Sequence, residues 1–196
     1  MAVFADYLDL RVAVAEQVGN RNISDVMPRI VQMAESTLNQ KLRHRKQITS
    51  ATLTFASGVS TLPTDFLEMI NVFGQYGVAL SAGSIADVNR CGSEYSRYAI
   101  DGTSVLIYGL SGDRDITYFA KIPTITTTVS STNWLLADYP SVYLYAAAVE
   151  AAKFLRDAEL AQATQALLTQ AINDMKVDDE RARWSNATVR VQAVTP

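Results

Sequence analysis

The residues best suited to acid–base or nucleophilic chemistry are few and scattered. The chain has one histidine, His44, and one cysteine, Cys91. His44 lies inside the cationic run Lys41-Leu-Arg-His-Arg-Lys46, which disfavours its protonated form, and Arg90 is the charged neighbour of Cys91. We expect His44 to lie at a solvated helix end and Cys91 to be unreactive. A lone cysteine excludes an internal disulfide, and the two residues together are too few for a Cys/His zinc site.

Paired carboxylates are the next candidates, since two of them can share general acid and base work. Asp113 and Asp115 flank an arginine, and the run Asp178 to Glu180 precedes Arg181 and Arg183. Each group has at least one arginine beside it, which favours solvated ion pairing over catalysis.

No catalytic motif places these groups in a recognisable site. The sequence contains no Gly-x-Ser-x-Gly elbow, Walker loop, Gly-x-Gly-x-x-Gly turn or His-Glu-x-x-His helix. We expect no enzyme activity, no cofactor and no metal. A cell-wall hydrolase that works with carboxylates such as Glu68 and Asp87 is the enzyme alternative.

The basic run is the sharpest electrostatic feature. Its cations are Lys41, Arg43, Arg45 and Lys46. They suit the C-terminal end of a helix, where cations complement the helix dipole. They also suit contact with DNA phosphates or with an acidic protein partner. The run has no interleaved aromatic residues, so it gives no support for base stacking.

Composition limits the class of protein. The 196 residues are 48% hydrophobic and 19% charged, enough to bury a core, and the formal net charge is −3. A strongly basic nucleic-acid binder is excluded as a description of the whole chain. The start lacks the basic and apolar regions of a signal peptide, and no stretch predicts a membrane anchor. We expect a protein made in a reducing cytoplasm.

The first third of the chain predicts two helices. Phe4, Leu8 and Val12 share helical spacing, and Gly19 is the expected stop. Ser24 is the predicted N-cap of a second helix that runs to about Arg45. Its apolar stripe contains Ile30, Met33, Ala34, Thr37, Leu38 and Leu42.

The middle third predicts five or six antiparallel strands. Asp101 and Gly102 form a tight-turn pair between two strand patterns. Residues 62–66, Leu-Pro-Thr-Asp-Phe, predict a fixed turn, and Ser84 is the expected cap of a short helix. The Thr-rich residues 124–132 predict a loop that returns to the helices.

The last third predicts helices and then an extended tail. Pro140 suits a first helical position, and Asp157 suits a break or cap between two helices. An alternating pattern follows, which predicts a strand that either folds back on the domain's own sheet or adds to a partner's sheet. The candidate partner-binding residues in this tail are Thr188, Val189, Arg190, Val191, Gln192, Ala193 and Val194.

These patterns predict an α+β fold in which helices in the first and last thirds of the chain flank an antiparallel β-rich middle third. The expected segments are helices in 1–46, a β-rich insertion in 47–133, helices in 134–184 and an extended tail in 185–196.

The order of several motifs resembles a known family. The motifs that carry this resemblance are residues 29–43, the turn at 62–66, Tyr-Ala-Ile-Asp-Gly at 98–102, Ile-Thr-Tyr-Phe-Ala-Lys-Ile-Pro at 116–123, the helix around 143–152 and Asp-Glu-Arg-Ala-Arg at 179–183. In this order and spacing, over roughly residues 4 to 192, the sequence resembles the head-to-tail adaptor (connector) proteins of tailed bacteriophages.

The resemblance implies a fold in which N- and C-terminal helices form a helical bundle that carries an antiparallel β-sheet insertion. It also implies a virion structural protein without enzymatic activity. Family members form a ring, typically of twelve copies, beneath the portal at the capsid vertex. The ring links the portal to a downstream tail or nozzle protein, and double-stranded DNA passes through it without sequence-specific binding. The terminal tail of such proteins commonly reaches the portal, a role that falls here on residues 188–194. Another phage neck or tail-completion protein is the structural alternative.

Overall fold

The computed structural model describes residues 3–19, 21–74, 77–91 and 97–184. The described residues divide into two compact units, a helical unit within residues 3–45 and 122–184 and a β-rich unit within residues 46–121. The α+β architecture agrees with the sequence prediction, and the described residues are 48% helix and 23% strand. The predicted tail strand lies outside the described residues.

The elements in chain order are α1 (Tyr7–Gln17), α2 (Met27–Lys41), a 3-10 turn (Arg45–Gln47), β1 (Ile48–Phe55), β2 (Val59–Thr61), β3 (Phe66–Val72), β4 (Ser81–Ala82), α3 (Ile85–Cys91), β5 (Arg97–Asp101), β6 (Ser104–Leu106), β7 (Gly112–Ala120), α4 (Trp134–Asp138), α5 (Pro140–Phe154) and α6 (Ala158–Trp184).

Helix α1 buries a different face from the predicted one. Tyr7, Leu10 and Val14 form its buried stripe, whereas Leu8 and Val12 are about half exposed. The Asp6 side chain caps the helix by accepting hydrogen bonds from the backbone N–H groups of Leu8 and Asp9. The prediction was wrong because apolar residues occupy both faces of this short helix, so spacing alone did not identify the core face.

Helix α2 begins later and ends earlier than predicted. Its N-cap is Val26, without a side-chain hydrogen bond, so the prediction of Ser24 as the cap was wrong. Pro28 occupies the first turn, where its missing N–H removes no helical hydrogen bond. The helix ends at Lys41 because Leu42 adopts an extended conformation.

A buried carboxylate ties α2 to α5. Glu35 accepts hydrogen bonds from the Tyr143 hydroxyl at 2.5 Å and from the backbone N–H of Ile125 at 3.0 Å. Burial, followed by the charge and hydrogen bond of Glu35, raises the pKa of Tyr143. Residues 122–133 were predicted to belong to the insertion but are part of the helical unit, and Ile122 and Ile125 lie in its core.

Helix α5 buries many small residues. Alanines at 146, 147, 148, 151 and 152 are buried on α5, which allows close approach of its neighbours. Pro140 opens α5 as predicted. Asp157 accepts a hydrogen bond from the backbone N–H of Leu160 at 3.1 Å and so caps α6, also as predicted.

The β-rich unit contains two small sheets. One has the order β1-β7-β3 and is antiparallel. The other has the order β2-β6-β5-β4, in which β4 pairs with β5 in parallel. The prediction of a wholly antiparallel arrangement was therefore wrong at this pair. Helix α3 connects β4 to β5 and supplies the crossover that a parallel pair requires.

The turns of this unit follow the predicted chemistry. Gly102 has a positive φ of 56° between β5 and β6, as a tight hairpin requires. Between β2 and β3, the backbone N–H of Phe66 donates to the carbonyl of Pro63, and the Tyr118 hydroxyl donates to Asp65 Oδ1 at 3.0 Å. Ser84 caps α3 by accepting a hydrogen bond from the backbone N–H of Asp87. The predicted fixed turn and helix cap are both present.

Candidate functional site

A groove lies between the end of α2 and the last turns of α6 within the helical unit. Its volume is about 510 Å³. We call it the basic groove. The residues that line it are Lys41, Leu42, Arg43, His44, Met175, Lys176, Asp179, Glu180, Arg183 and Trp184.

One wall of the groove is the end of α2, which an arginine caps. Arg43 Nη1 donates to the backbone carbonyl of Asn39 at 2.9 Å and to that of Leu42 at 2.6 Å. These carbonyls are among those that a helix end leaves without an intrahelical partner. The guanidinium of Arg43 therefore stabilises the end of α2, as the helix-end interpretation of the basic run predicts for this residue.

The opposite wall contains a buried carboxylate, Asp179. It accepts hydrogen bonds from the backbone N–H of Arg45 at 3.2 Å and from Arg45 Nη1 at 3.3 Å. Arg183 Nε, one helical turn further along α6, lies 2.9 Å from Asp179 Oδ2. A buried carboxylate requires such compensation. The expectation that Asp179 is solvated charge was therefore wrong, because the fold brings Arg45 against it.

His44 is buried beneath the groove rather than solvated. Its ring is 1% exposed, stacks on Trp134 with centroids 5.2 Å apart and meets the edge of Tyr139 at 5.3 Å. His44 Nε2 lies 3.3 Å from Asp179 Oδ1 and 3.2 Å from the Tyr139 hydroxyl. The prediction of a solvated helix end was wrong because the chain turns inward after α2 ends.

The Tyr139 hydroxyl links this cluster to a second carboxylate. It donates a hydrogen bond to Asp178 Oδ2 at 2.6 Å. Burial of the phenol, and then the hydrogen bond and charge of Asp178, raise the pKa of Tyr139 to about 12. Because the single hydrogen of this hydroxyl is donated to Asp178, the hydroxyl oxygen can only accept a hydrogen bond from His44. The two aromatic rings also separate the imidazole from solvent, an arrangement that suits structural anchoring better than proton transfer to a substrate.

The four cations of the basic run differ in their locations and contacts in the structure. Lys41 and Arg43 line the groove, whereas Arg45 pairs with Asp179 behind it. Lys46 is exposed and belongs to the β-rich unit. The structure therefore brings together only part of the predicted basic cluster.

Three residues that line the groove were not predicted to belong to the basic cluster. Lys176, Arg183 and Trp184 lie more than 130 positions from Lys41, and the fold alone brings them to it. The sequence feature that could have indicated this wall of the groove is the pair of arginines in the last turn of α6. These arginines were expected to pair with the nearby carboxylates.

The remaining carboxylate candidates are structural or exposed. Asp87 accepts hydrogen bonds from the hydroxyl and the backbone N–H of Ser84, which lower its pKa. Asp113 and Asp115 are exposed and accept hydrogen bonds across the sheet from Thr54 and Thr52. Glu68 lies on β3, opposite Phe119 in the strand register.

The tail candidates, residues 188–194, lie outside the described residues. Among residues 3–19, 21–74, 77–91 and 97–184, no group of three or more His, Cys, Asp or Glu side chains could hold a metal ion. Within the same ranges, no helix has the length and apolar character needed to cross a bilayer.

Comparison with known proteins assigns the family. Residues 5–192 match the family model described as SU10 adaptor protein. The chain belongs to the SU10 adaptor family. This is a family of phage head-to-tail adaptors, so an SU10 adaptor has a structural role among the head and tail proteins of the virion. A search of curated proteins gives no significant match.

Proposed function

We propose that this SU10 adaptor forms a ring in the virion neck, beneath the portal at the capsid vertex. By family resemblance, the ring contains twelve copies. It joins the portal to the next tail or nozzle protein, and the genome passes through it without sequence-specific contact. The chain is made in the cytoplasm of the host bacterium and acts without catalysis. The observation that carries this proposal is the family match across residues 5–192.

The physical character of the chain supports the proposal. A closed ring uses heterologous contacts, in which one surface of each copy meets a different surface of the next. Two compact units with separate cores each offer a surface of their own for such contacts. The tail at residues 188–194 is the proposed portal contact, by addition of a strand to a sheet of the partner.

Complementation of phage heads tests this function. DNA-filled heads from a phage that lacks this gene are incubated with the purified protein and then with tail components. We expect the protein to co-sediment with heads that carry portal and to restore tail attachment, and we expect no retention by heads without portal. Co-sedimentation with tails alone would favour the alternative of a tail-completion protein.

A peptidoglycan-clearing assay tests the enzyme alternative. Adaptor function predicts no clearing by the wild-type protein. Clearing that is abolished by Glu68→Gln or Asp87→Asn would establish a hydrolase instead, because these changes remove the acid or base while retaining the side-chain shape.

A further inference from the structure

The basic groove combines exposed cations with an apolar floor. Lys41 and Lys176 are exposed, and neither forms a hydrogen bond or ion pair with any other described residue. Leu42 and Met175 are buried at the floor. Trp184 is 70% exposed, although a large aromatic side chain gains free energy when a partner covers it. Tryptophan is enriched among the residues that contribute most of the binding energy at protein interfaces.

The charge of the groove is opposite to that of the chain. Four basic and two acidic side chains line it, whereas the whole chain has a net charge of −3. Asp179 is already compensated by Arg45 and Arg183. The groove therefore presents uncompensated positive charge, which attracts an acidic ligand.

The lining favours a peptide over a DNA backbone. Duplex DNA presents closely spaced phosphates, which bind best to an open surface of cations. Here the carboxylates of Asp179 and Glu180 lie among the cations and would repel those phosphates. A peptide can direct its carboxylates toward Lys41 and Lys176 and place an apolar side chain against Trp184. A volume of about 510 Å³ is sufficient for a few side chains.

We propose that the basic groove docks an acidic peptide segment of a virion protein, in which carboxylates flank an apolar or aromatic side chain. The identity of the partner as a virion protein rests on the proposed adaptor function. The chemistry of the contact rests on the groove itself.

The first test uses a defined probe. A synthetic peptide in which glutamates flank a leucine and a phenylalanine is titrated into the isotope-labelled full chain, and the indole N–H resonances are followed by NMR. The chain has two tryptophans, and Trp184→Phe assigns the two signals. We expect the acidic peptide to shift the Trp184 signal in a saturable manner. The same peptide with lysines in place of glutamates should leave that signal unchanged.

Matched charge reversals locate the contact. Lys41→Glu combined with Lys176→Glu should weaken binding of the acidic peptide at least tenfold. The control combines Arg29→Glu with Arg181→Glu, two exposed cations on the same helices that do not line the groove and have no ion pair among the described residues. We expect less than a twofold effect from the control. Circular dichroism confirms that both variants are folded.

Three results would overturn the proposal. They are the absence of a Trp184 shift, equal weakening by both pairs of reversals, and tighter binding of a short DNA duplex that depends on Lys41 and Lys176. Failure of this test together with a ring on the portal would leave the adaptor function intact. Peptide binding without a portal complex would support the groove and reject the adaptor function.

Discussion

At the residue scale, Asp179 holds one end of the helical unit together. It joins α6 to the segment after α2 through Arg45, and it contacts the buried ring of His44. Its sequence neighbours Asp178 and Glu180 are exposed, so the run of three carboxylates has unequal roles. A carboxylate in such a position stabilises the fold only while its cationic partners remain.

Asp179→Asn should therefore lower the free energy of unfolding by about 1–3 kcal/mol, because the charge that compensates Arg45 and Arg183 is lost. Urea unfolding at neutral pH measures the change. Asp174→Asn is the matched control, since Asp174 is exposed on the same helix, and its effect should be within about 0.5 kcal/mol. Equal effects of the two changes would contradict this account of Asp179.

Because Tyr118 is buried, we expect the stability of the β-rich unit to depend on pH in the alkaline range. Burial of the phenol, then its hydrogen bond to Asp65 and the charge of that carboxylate, raise its pKa to about 12. Since the folded-state pKa lies above the unfolded value of about 10, the contribution to stability is complete below pH 10. It is lost as the pH rises through about 12.

Phenolate absorbance measures this titration. The wild type should show late ionisation that Tyr118→Phe reduces. Asp65→Asn should lower the pKa of Tyr118 while leaving it above 10, because burial is the largest cause of the shift. A late titration that is unchanged in Tyr118→Phe would show that Tyr118 is not its source.

At the scale of elements, the turn after β1 depends on a close backbone approach. Gly58 has a φ of 83°, and an added Cβ would lie 2.5 Å from the carbonyl oxygen of Ile107. Its backbone N–H donates to Leu110, and its carbonyl accepts from Ile107. This position therefore requires glycine for both conformation and space.

Gly58→Ala should destabilise the protein more than Gly102→Ala. Gly102 also has a positive φ, but a Cβ there meets no atom within 4 Å. Gly102→Ala should cost about 1 kcal/mol through backbone strain, and Gly58→Ala at least about 1 kcal/mol more through the steric clash. Urea unfolding followed by circular dichroism compares the two, and equal costs would contradict the proposed close approach.

The tail gives a second prediction at this scale. Deletion of residues 188–196 should weaken docking to the portal while leaving the far-ultraviolet spectrum and the melting temperature nearly unchanged. The physical reason is that a partner-bound strand contributes to the complex and not to the fold of the free chain. A large fall in melting temperature would indicate instead that the tail folds back on its own sheet.

Elements were predictable where local chemistry determines them. Pro140, Asp157 and Gly102 mark boundaries because of their own backbone or capping properties. The buried face of α1 and the parallel pair of β4 with β5 depend on tertiary packing, which local spacing does not specify.

The candidate site was predictable only in part for the same reason. Lys41 and Arg43 were identified as adjacent cations, but the groove also needs Lys176 and Trp184 from the far end of the chain. His44 has no sequence signal for burial, because its aromatic neighbours Trp134 and Tyr139 follow some 90 residues later.

At the scale of the whole molecule, ring formation would explain why one chain carries two units with separate cores. The helical unit contains the basic groove, and the β-rich unit has an exposed sheet face with Asp113 and Asp115. Heterologous assembly uses different surfaces of neighbouring copies and of unlike partners. An SU10 adaptor requires such surfaces for head proteins and for tail proteins, and the proposed ring requires them also for neighbouring copies.

Cryo-electron microscopy of the purified protein mixed with the portal of its own phage tests this account most directly. Each component alone is the control. The account predicts an additional ring at the narrow end of the portal, and the symmetry of that ring gives the copy number. An intact portal with no added ring, at protein concentrations well above those in the head assay, would contradict the adaptor function.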